Sequence, residues 1–305
     1  SDIILLNLAN WFMGITLLNF FTILAVCNAI VSTVKNFRPV VPGLIYRSAT
    51  LDKLSVSDAE QLLQGTYFNN TSPFFTVIDL RNSDEIKKGV KRRTDGSKVF
   101  YSSLRESQSV HIPLLHNVDA FWDEAISRMD PFERTKATLE SAFKRGALDR
   151  AAARHLECGG LPLLYSVMLV SSGGPMVTAL NACVKSLDQG PVIFHCEKGK
   201  DRTGLLAMLI QSCLRANDVD IIEAYSLSGD LIGDEGAKTS AEGNNNGMID
   251  WGYFRGSPAS AMQDTLQWIR LRHGSVEAYL DNIMFSYAQQ KDLREKCEVL
   301  LNETP

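Results

Sequence analysis

One stretch constrains the fold more than any other: Val192-Ile193-Phe194-His195-Cys196-Glu197-Lys198-Gly199-Lys200-Asp201-Arg202-Thr203-Gly204. An apolar run ends at a thiol, a short polar loop with a glycine follows, and Leu205-Leu206-Ala207-Met208-Leu209-Ile210 resumes the apolar pattern. The order is strand, loop, helix. The strand stops at His195, because Glu197 to Asp201 has charge but no apolar alternation. The helix is expected from near Thr203 to about Leu214, with Leu205, Leu206, Leu209 and Cys213 on its apolar face. A loop that enters a helix in this way turns the backbone N–H groups of Glu197, Lys198, Gly199, Lys200, Asp201 and Arg202 toward a common centre. The free N–H groups and the positive dipole end of the helix add to them.

Such a cradle suits a dianionic phosphate, and Arg202 brings a planar fork that binds two of its oxygens. Cys196 lies at its base. Helix N-termini with cationic neighbours favour thiolates, which are the nucleophilic form. A thiolate here attacks phosphorus in line, while Thr203 offers its hydroxyl to the departing sulfur. His195 is expected to orient the loop through backbone hydrogen bonds. The competing reading is a buried core cysteine before an unrelated turn. A nucleotide-binding P-loop is excluded, because Phe194 stands where its first glycine belongs and Asp201 where Ser or Thr must follow Gly-Lys. Rhodaneses and arsenate reductases also use a loop cysteine, but Arg202 followed by Thr203 and Gly204 favours a phosphatase.

His195-Cys196 through Gly204 resembles the loop of the type-3 tyrosine phosphatase family, whose members act on phosphotyrosine and phosphoinositides. Asn36-Phe37-Arg38, Leu44 to Ser48, Asp79-Leu80-Arg81 with Glu85, and Gly274 to Leu280 are similar to other landmarks of that family. The resemblance covers roughly residues 36–300. It implies a cysteine-dependent phosphomonoester hydrolase working through a phosphocysteine intermediate, without cofactor or metal. The implied partner is a phosphorylated protein or a phosphoinositide. A phosphate-binding module that is catalytically silent is the alternative, weakened by the presence of Cys196, Arg202 and Thr203 together.

A proton donor for the leaving oxygen is also needed. Dual-specificity phosphatases place an aspartate well upstream of the cysteine, yet no aspartate lies between Asp149 and Asp188. Asp201 in the loop and Asp79 at the carboxyl end of a strand are the two candidates. Lys200 occupies a position that is basic in tensin-homologue phosphoinositide phosphatases, but Glu197 stands where those loops often carry a second lysine. The substrate stays open between the two classes.

A net charge of −4 gives no reason to expect nucleic acid. Cys27, Cys158, Cys183, Cys196, Cys213 and Cys297 are scattered without a Cys-x-x-Cys pair, which fits reduced thiols in the cytosol. Residues 3–34 carry no charge, and Trp11 to Val31 is long enough for a bilayer span, with Lys35 and Arg38 following. A membrane anchor with a cytosolic catalytic part, a signal peptide and a buried core helix are the readings of this segment. Asn7, Asn10, Asn19 and Asn28 favour the last.

Behind residues 1–34, residues 35–305 read as one phosphatase unit. Strands are expected at Leu44–Tyr46, Phe74–Ile78 and Val110–Leu114, and a helix capped at Ser55 or Ser57. Lys87, Lys88, Lys91, Arg92, Arg93 and Lys98 suggest a solvated loop or a patch for anionic lipid. Helical character runs from about Ala120 to Leu187, interrupted near Pro131 and Gly146, and Val219–Leu227 is helical too. Residues at about 229–258, rich in glycine and asparagine, read as a flexible loop before the closing helices. The fold class that follows is α/β, with a parallel-rich central sheet flanked by helices.

Overall fold

The computed structural model describes residues 33–68, 74–233 and 249–303. Strands β1 (Arg38–Val41) and β2 (Ile45–Ser48) form a hairpin, followed by α1 (Val56–Leu63), β3 (Thr76–Asp79), α2 (Ser83–Val90), α3 (Asp95–Ser103) and β4 (Ser109–His111). Helices α4 (Val118–Ser127), α5 (Pro131–Ser141), α6 (Ala147–Ser171) and α7 (Gly173–Ser186) lead to β5 (Val192–His195). Then come α8 (Asp201–Cys213), α9 (Asp218–Ile232), α10 (Ala259–His273), α11 (Val276–Asn282) and α12 (Tyr287–Glu303).

The sheet runs β1-β2-β5-β3-β4, antiparallel only at β1–β2. The three inner strands β2, β5 and β3 are short, rich in β-branched and aromatic residues, and almost wholly buried, as parallel strands between helices are. Alternate residues feed two cores. Ile45, Ile78, Val192 and Phe194 face the large helical layer, packing with Leu164, Met168, Met176, Leu205 and Leu209. Tyr46, Val77 and Ile193 face a smaller aromatic layer made with Phe68, Phe75 and Phe100. Parallel register then aligns the strand ends. Ser48 and Asp79 both pair with His195, and Asp79 with His111, so the carboxyl edge presents one row of polar residues. Open α/β sheets bind ligands at that edge.

The α/β, parallel-rich expectation holds, and several local ones change. Helix α8 begins at Asp201 rather than Thr203, and from Thr203 to Cys213 it is buried all round, not along one face. Helix α9 extends to Ile232, into the region read as loop, and Trp251–Phe254 forms a 3-10 turn. Residues 234–248 of that region lie outside the described residues. Of the basic stretch, Lys87, Lys88 and Lys98 lie in two capped helices, with Lys91, Arg92 and Arg93 in the turn between them. Asn82 and Glu85 form a capping box for α2, and Thr94 caps α3. Arg93 turns inward, with Nε 3.0 Å from Asp52 Oδ1 and the guanidinium 3.8 Å from the Tyr101 ring centre.

Trp11–Val31 also lies outside the described residues. Its expected basic flank is only partly at the surface. Arg38 is buried, donating from Nη2 to Ala224 O at 2.7 Å and Ser228 Oγ at 2.8 Å. Among the described residues no single helix is long and apolar enough to cross a membrane. Helices α6 and α7 pass that test only as a pair bent by 78°, and their Leu164, Val167, Met168, Met176 and Leu180 belong to the buried core.

Candidate active site

The loop joining β5 to α8 is held from outside by its carbonyls. Leu80 N–H donates to His195 O at 2.8 Å, and Thr50 N–H donates to Glu197 O at 3.1 Å. His195 Nδ1 lies 3.3 Å from Cys196 O. Asn36 Nδ2 reaches Lys198 O at 3.4 Å and Gly199 O at 2.7 Å, and Arg47 Nη2 also donates to Gly199 O at 2.7 Å. The Lys200 carbonyl accepts from Gly204 N–H at 2.7 Å, the first turn of α8. With its carbonyls engaged outward, the loop keeps its N–H groups for the interior. Gly199 shows this directly: its N–H donates to Cys196 Sγ at 3.2 Å. Gly199 has φ +67°, a conformation that costs glycine nothing.

Cys196 is 2% exposed, at the end of the central strand and the foot of α8. Arg202, in the first turn of α8, is gripped end-on by Glu85. Nη1 and Nη2 donate to Oε2 and Oε1 at 2.6 Å each. Burial works against both charges, yet their pairing holds Glu85 below and Arg202 above the usual value. Each terminal nitrogen keeps a second hydrogen, and Nε its own, for an anion. Glu85 also accepts the Asn82 N–H at 2.9 Å, so one side chain caps α2 and sets the arginine.

The two aspartates differ in kind. Asp79 is chelated by Arg81, accepting at Oδ1 from N–H and Nε–H at 3.0 Å each and at Oδ2 from Nη2 at 2.8 Å. Burial pushes its carboxyl up, but His195 and Arg81 outweigh that and hold it at about 2. Near neutral pH it has no proton to give. Asp79 is a scaffold for Arg81, which also bonds Asp52 Oδ2 at 2.5 Å and Thr50 Oγ1 at 2.9 Å. Asp201 is the first residue of α8, partly exposed, and its Oδ1 accepts from Tyr165 OH at 2.7 Å.

The Lys200 side chain is engaged within the protein. Its ammonium donates to Phe254 O and Gly256 O at 2.7 Å each and lies 3.2 Å from Asp201 Oδ1. Those partners account for its three hydrogens. Lys200 therefore ties the segment after residue 248 to the loop. Thr203 Oγ1 is buried without a hydrogen-bond partner among the described residues. Glu197 opens to solvent with Oε2 3.6 Å from Arg81 Nη1. Burial raises its carboxyl despite Arg81, with Glu85 and Asp52 adding repulsion. Half-buried Lys198 has its ammonium lowered, chiefly by burial. Asn36, Arg47, Glu85, Tyr165 and Tyr225 had no assigned role from sequence. Asn36, Arg47 and Glu85 lie within the family landmarks named above, which was the available signal for them; Tyr165 and Tyr225 offered none.

A thiol at the end of a central parallel strand, ringed by carbonyl-anchored backbone and followed by an arginine in the first turn of the next helix, defines an α/β protein with a loop suited to an anion. The chain belongs to the tyrosine phosphatase family, whose model matches residues 31–298. This bears out the resemblance read from His195 to Gly204. A tyrosine-protein phosphatase of Nostoc commune is 26% identical over 121 residues, 36% of this chain. That match spans 40% of the relative's length.

Proposed function

We propose that the chain is a cysteine-dependent phosphatase that hydrolyses phosphotyrosine in proteins through a phosphocysteine intermediate. The observation that carries the reading is the Gly199 N–H to Cys196 Sγ contact at 3.2 Å, inside a loop closed by the Glu85-held Arg202. Cys196 Sγ attacks phosphorus, the S–P bond forms and the P–O bond to the leaving group breaks. Asp201 in its acid form gives its proton to the departing oxygen. Water then attacks phosphorus, Asp201 takes a proton from it, and sulfur leaves. Arg202 and the loop N–H groups bind the equatorial oxygens, where charge is stabilised without reorganisation.

Phosphotyrosine is favoured over phosphoinositides because the Lys200 ammonium is spent on Phe254 O, Gly256 O and Asp201, and the residue after the cysteine is the acidic Glu197. A cytosolic location with residues 3–34 as a bilayer tether goes with this reading, supported by the charge-free composition of that segment. Membrane fractionation with a carbonate wash tests it. For the activity, the purified chain is assayed on a phosphotyrosine peptide and a phosphoinositide panel, beside Cys196→Ser. Turnover on the peptide, lost in the serine variant while vanadate still binds, supports the proposal. Undiminished hydrolysis by Cys196→Ser sinks it, and turnover confined to the inositides overturns the substrate class.

A further inference from the structure

A buried pair of tyrosines stands behind the loop. Tyr165 on α6 and Tyr225 on α9 are both fully enclosed, their rings edge-to-face at 5.9 Å and 86°. Their hydroxyls lie 2.7 Å apart, and the Tyr165 hydroxyl is also 2.7 Å from Asp201 Oδ1. An ionised carboxylate only accepts, so the single Tyr165 hydrogen goes to Asp201. The Tyr165 oxygen is then left to accept from Tyr225. The chain of donation runs Tyr225 to Tyr165 to Asp201. Burial raises both phenols above their ordinary value, so both remain donors.

The consequence falls on the two oxygens of Asp201. Oδ1 is occupied by Tyr165 and approached by the Lys200 ammonium at 3.2 Å. Oδ2 has no such bond among the described residues. A proton on the carboxyl therefore sits on Oδ2, and the side chain cannot rotate to exchange the oxygens without breaking both contacts. When that proton leaves, the new negative charge already has a hydroxyl and an ammonium on Oδ1. Neighbouring donors aligned in one direction polarise each other and strengthen the terminal bond.

We propose that Tyr165, backed by Tyr225, is a positioning residue that fixes Asp201 so that Oδ2 carries the transferable proton. This rests on Asp201 acting as the acid in the reading above. The test compares phenyl phosphate, whose leaving oxygen needs a proton, with 2,4-dinitrophenyl phosphate, which leaves without one. Tyr165→Phe should lower kcat on phenyl phosphate by roughly tenfold or more, the scale of a lost bond to a charged group. It should leave KM, vanadate inhibition and dinitrophenyl turnover near wild type. Tyr225→Phe should show the same selectivity more weakly.

In an Asp201→Asn background, Tyr165→Phe should cost nothing further on phenyl phosphate, because its effect passes through Asp201. Equal loss on both substrates, or a loss additive with Asp201→Asn, overturns the proposal and makes the pair a packing feature. Should Tyr165→Phe fold poorly, Tyr225→Phe carries the same comparison, since Tyr225 reaches Asp201 by hydrogen bonds only through Tyr165 among the described residues. Failure of the two layers is distinguishable. An Asp201→Asn enzyme that is unselective between substrates removes the acid assignment and the proposal with it. A selective Asp201→Asn beside unselective tyrosine variants removes the tyrosines alone.

Discussion

Gly199→Ala should disable the loop while leaving Cys196, Arg202 and Asp201 in the sequence. A Cβ at this position would stand 2.4 Å from the Ser48 carbonyl carbon and oxygen and 2.5 Å from Ala49 N. Ordinary contacts need about 3.5–4.0 Å, so something must move by roughly an ångström. The obstacle is backbone at the end of β2, paired in register with His195, not a side chain that can swing aside. The φ of +67° adds about 1–2 kcal/mol for any residue with a Cβ, and overpacking of this kind adds about 1–3 kcal/mol. The loop relieves that strain by lifting off Ser48. Doing so withdraws the Gly199 N–H from Cys196 Sγ and the carbonyl from Asn36 and Arg47. A hydrogen bond to a charged group contributes about 1.5–3 kcal/mol, so kcat should fall by roughly 10- to 100-fold. The assay is aryl phosphate turnover beside a melting curve, which should drop by several degrees. A variant with full rate and unchanged melting would refute the packed, left-handed position assigned to Gly199.

Glu85→Gln should lower kcat/KM by roughly tenfold or more, because it removes the charge that orients Arg202 at 2.6 Å through both terminal nitrogens; vanadate affinity that matches wild type would contradict it. Stability in acid should depend on Asp79, which sits at about 2 folded against an ordinary 3.8. A depressed carboxyl stabilises fully above its unfolded value and loses that contribution as pH falls through the folded one. The gap in urea-unfolding free energy between wild type and Asp79→Asn should therefore narrow from pH 5 to pH 2 by on the order of 2 kcal/mol; a gap independent of pH would show that Asp79 carries no such charge.

The central strand, the loop and the following helix were legible because their signals are local. Val192 to Phe194 is apolar, the next residues are charged, and the leucine pattern returns after Gly204. A cap at Ser55 or Ser57 was legible for the same reason, and it is the Ser55 side chain that accepts from Asp58 N–H. Strand β1 was not legible. Arg38-Pro39 reads as polar and turn-like, and the strand exists because β2 supplies its hydrogen bonds and the core takes Val40 and Val41. The basic stretch from Lys87 misled for the opposite reason. Charge density suggested a loop, while the Asn82–Glu85 spacing already carried a capping box for a short surface helix.

What stayed hidden at the site is one kind of interaction, the support given to a backbone carbonyl or a catalytic side chain from far along the chain. Arg47 is an arginine within a short apolar strand, and sequence offers no way to see that its guanidinium meets Gly199 O and not solvent. Burial pushes Arg47 down to about 10, against the attraction of Cys196 and Asp201, so it remains charged at neutral pH. A buried charge that persists needs a compensating field, and the loop supplies it through the Gly199 and Lys200 carbonyls. The same logic explains Lys200. Its motif position suggested a substrate contact, yet two carbonyls from the segment at Phe254 and Gly256 absorb its ammonium. A motif specifies the residues that ring the phosphate. Whether each side chain faces inward is decided by the elements packed behind the loop: Glu85 on α2 sets Arg202, and the segment at Phe254 and Gly256 takes Lys200.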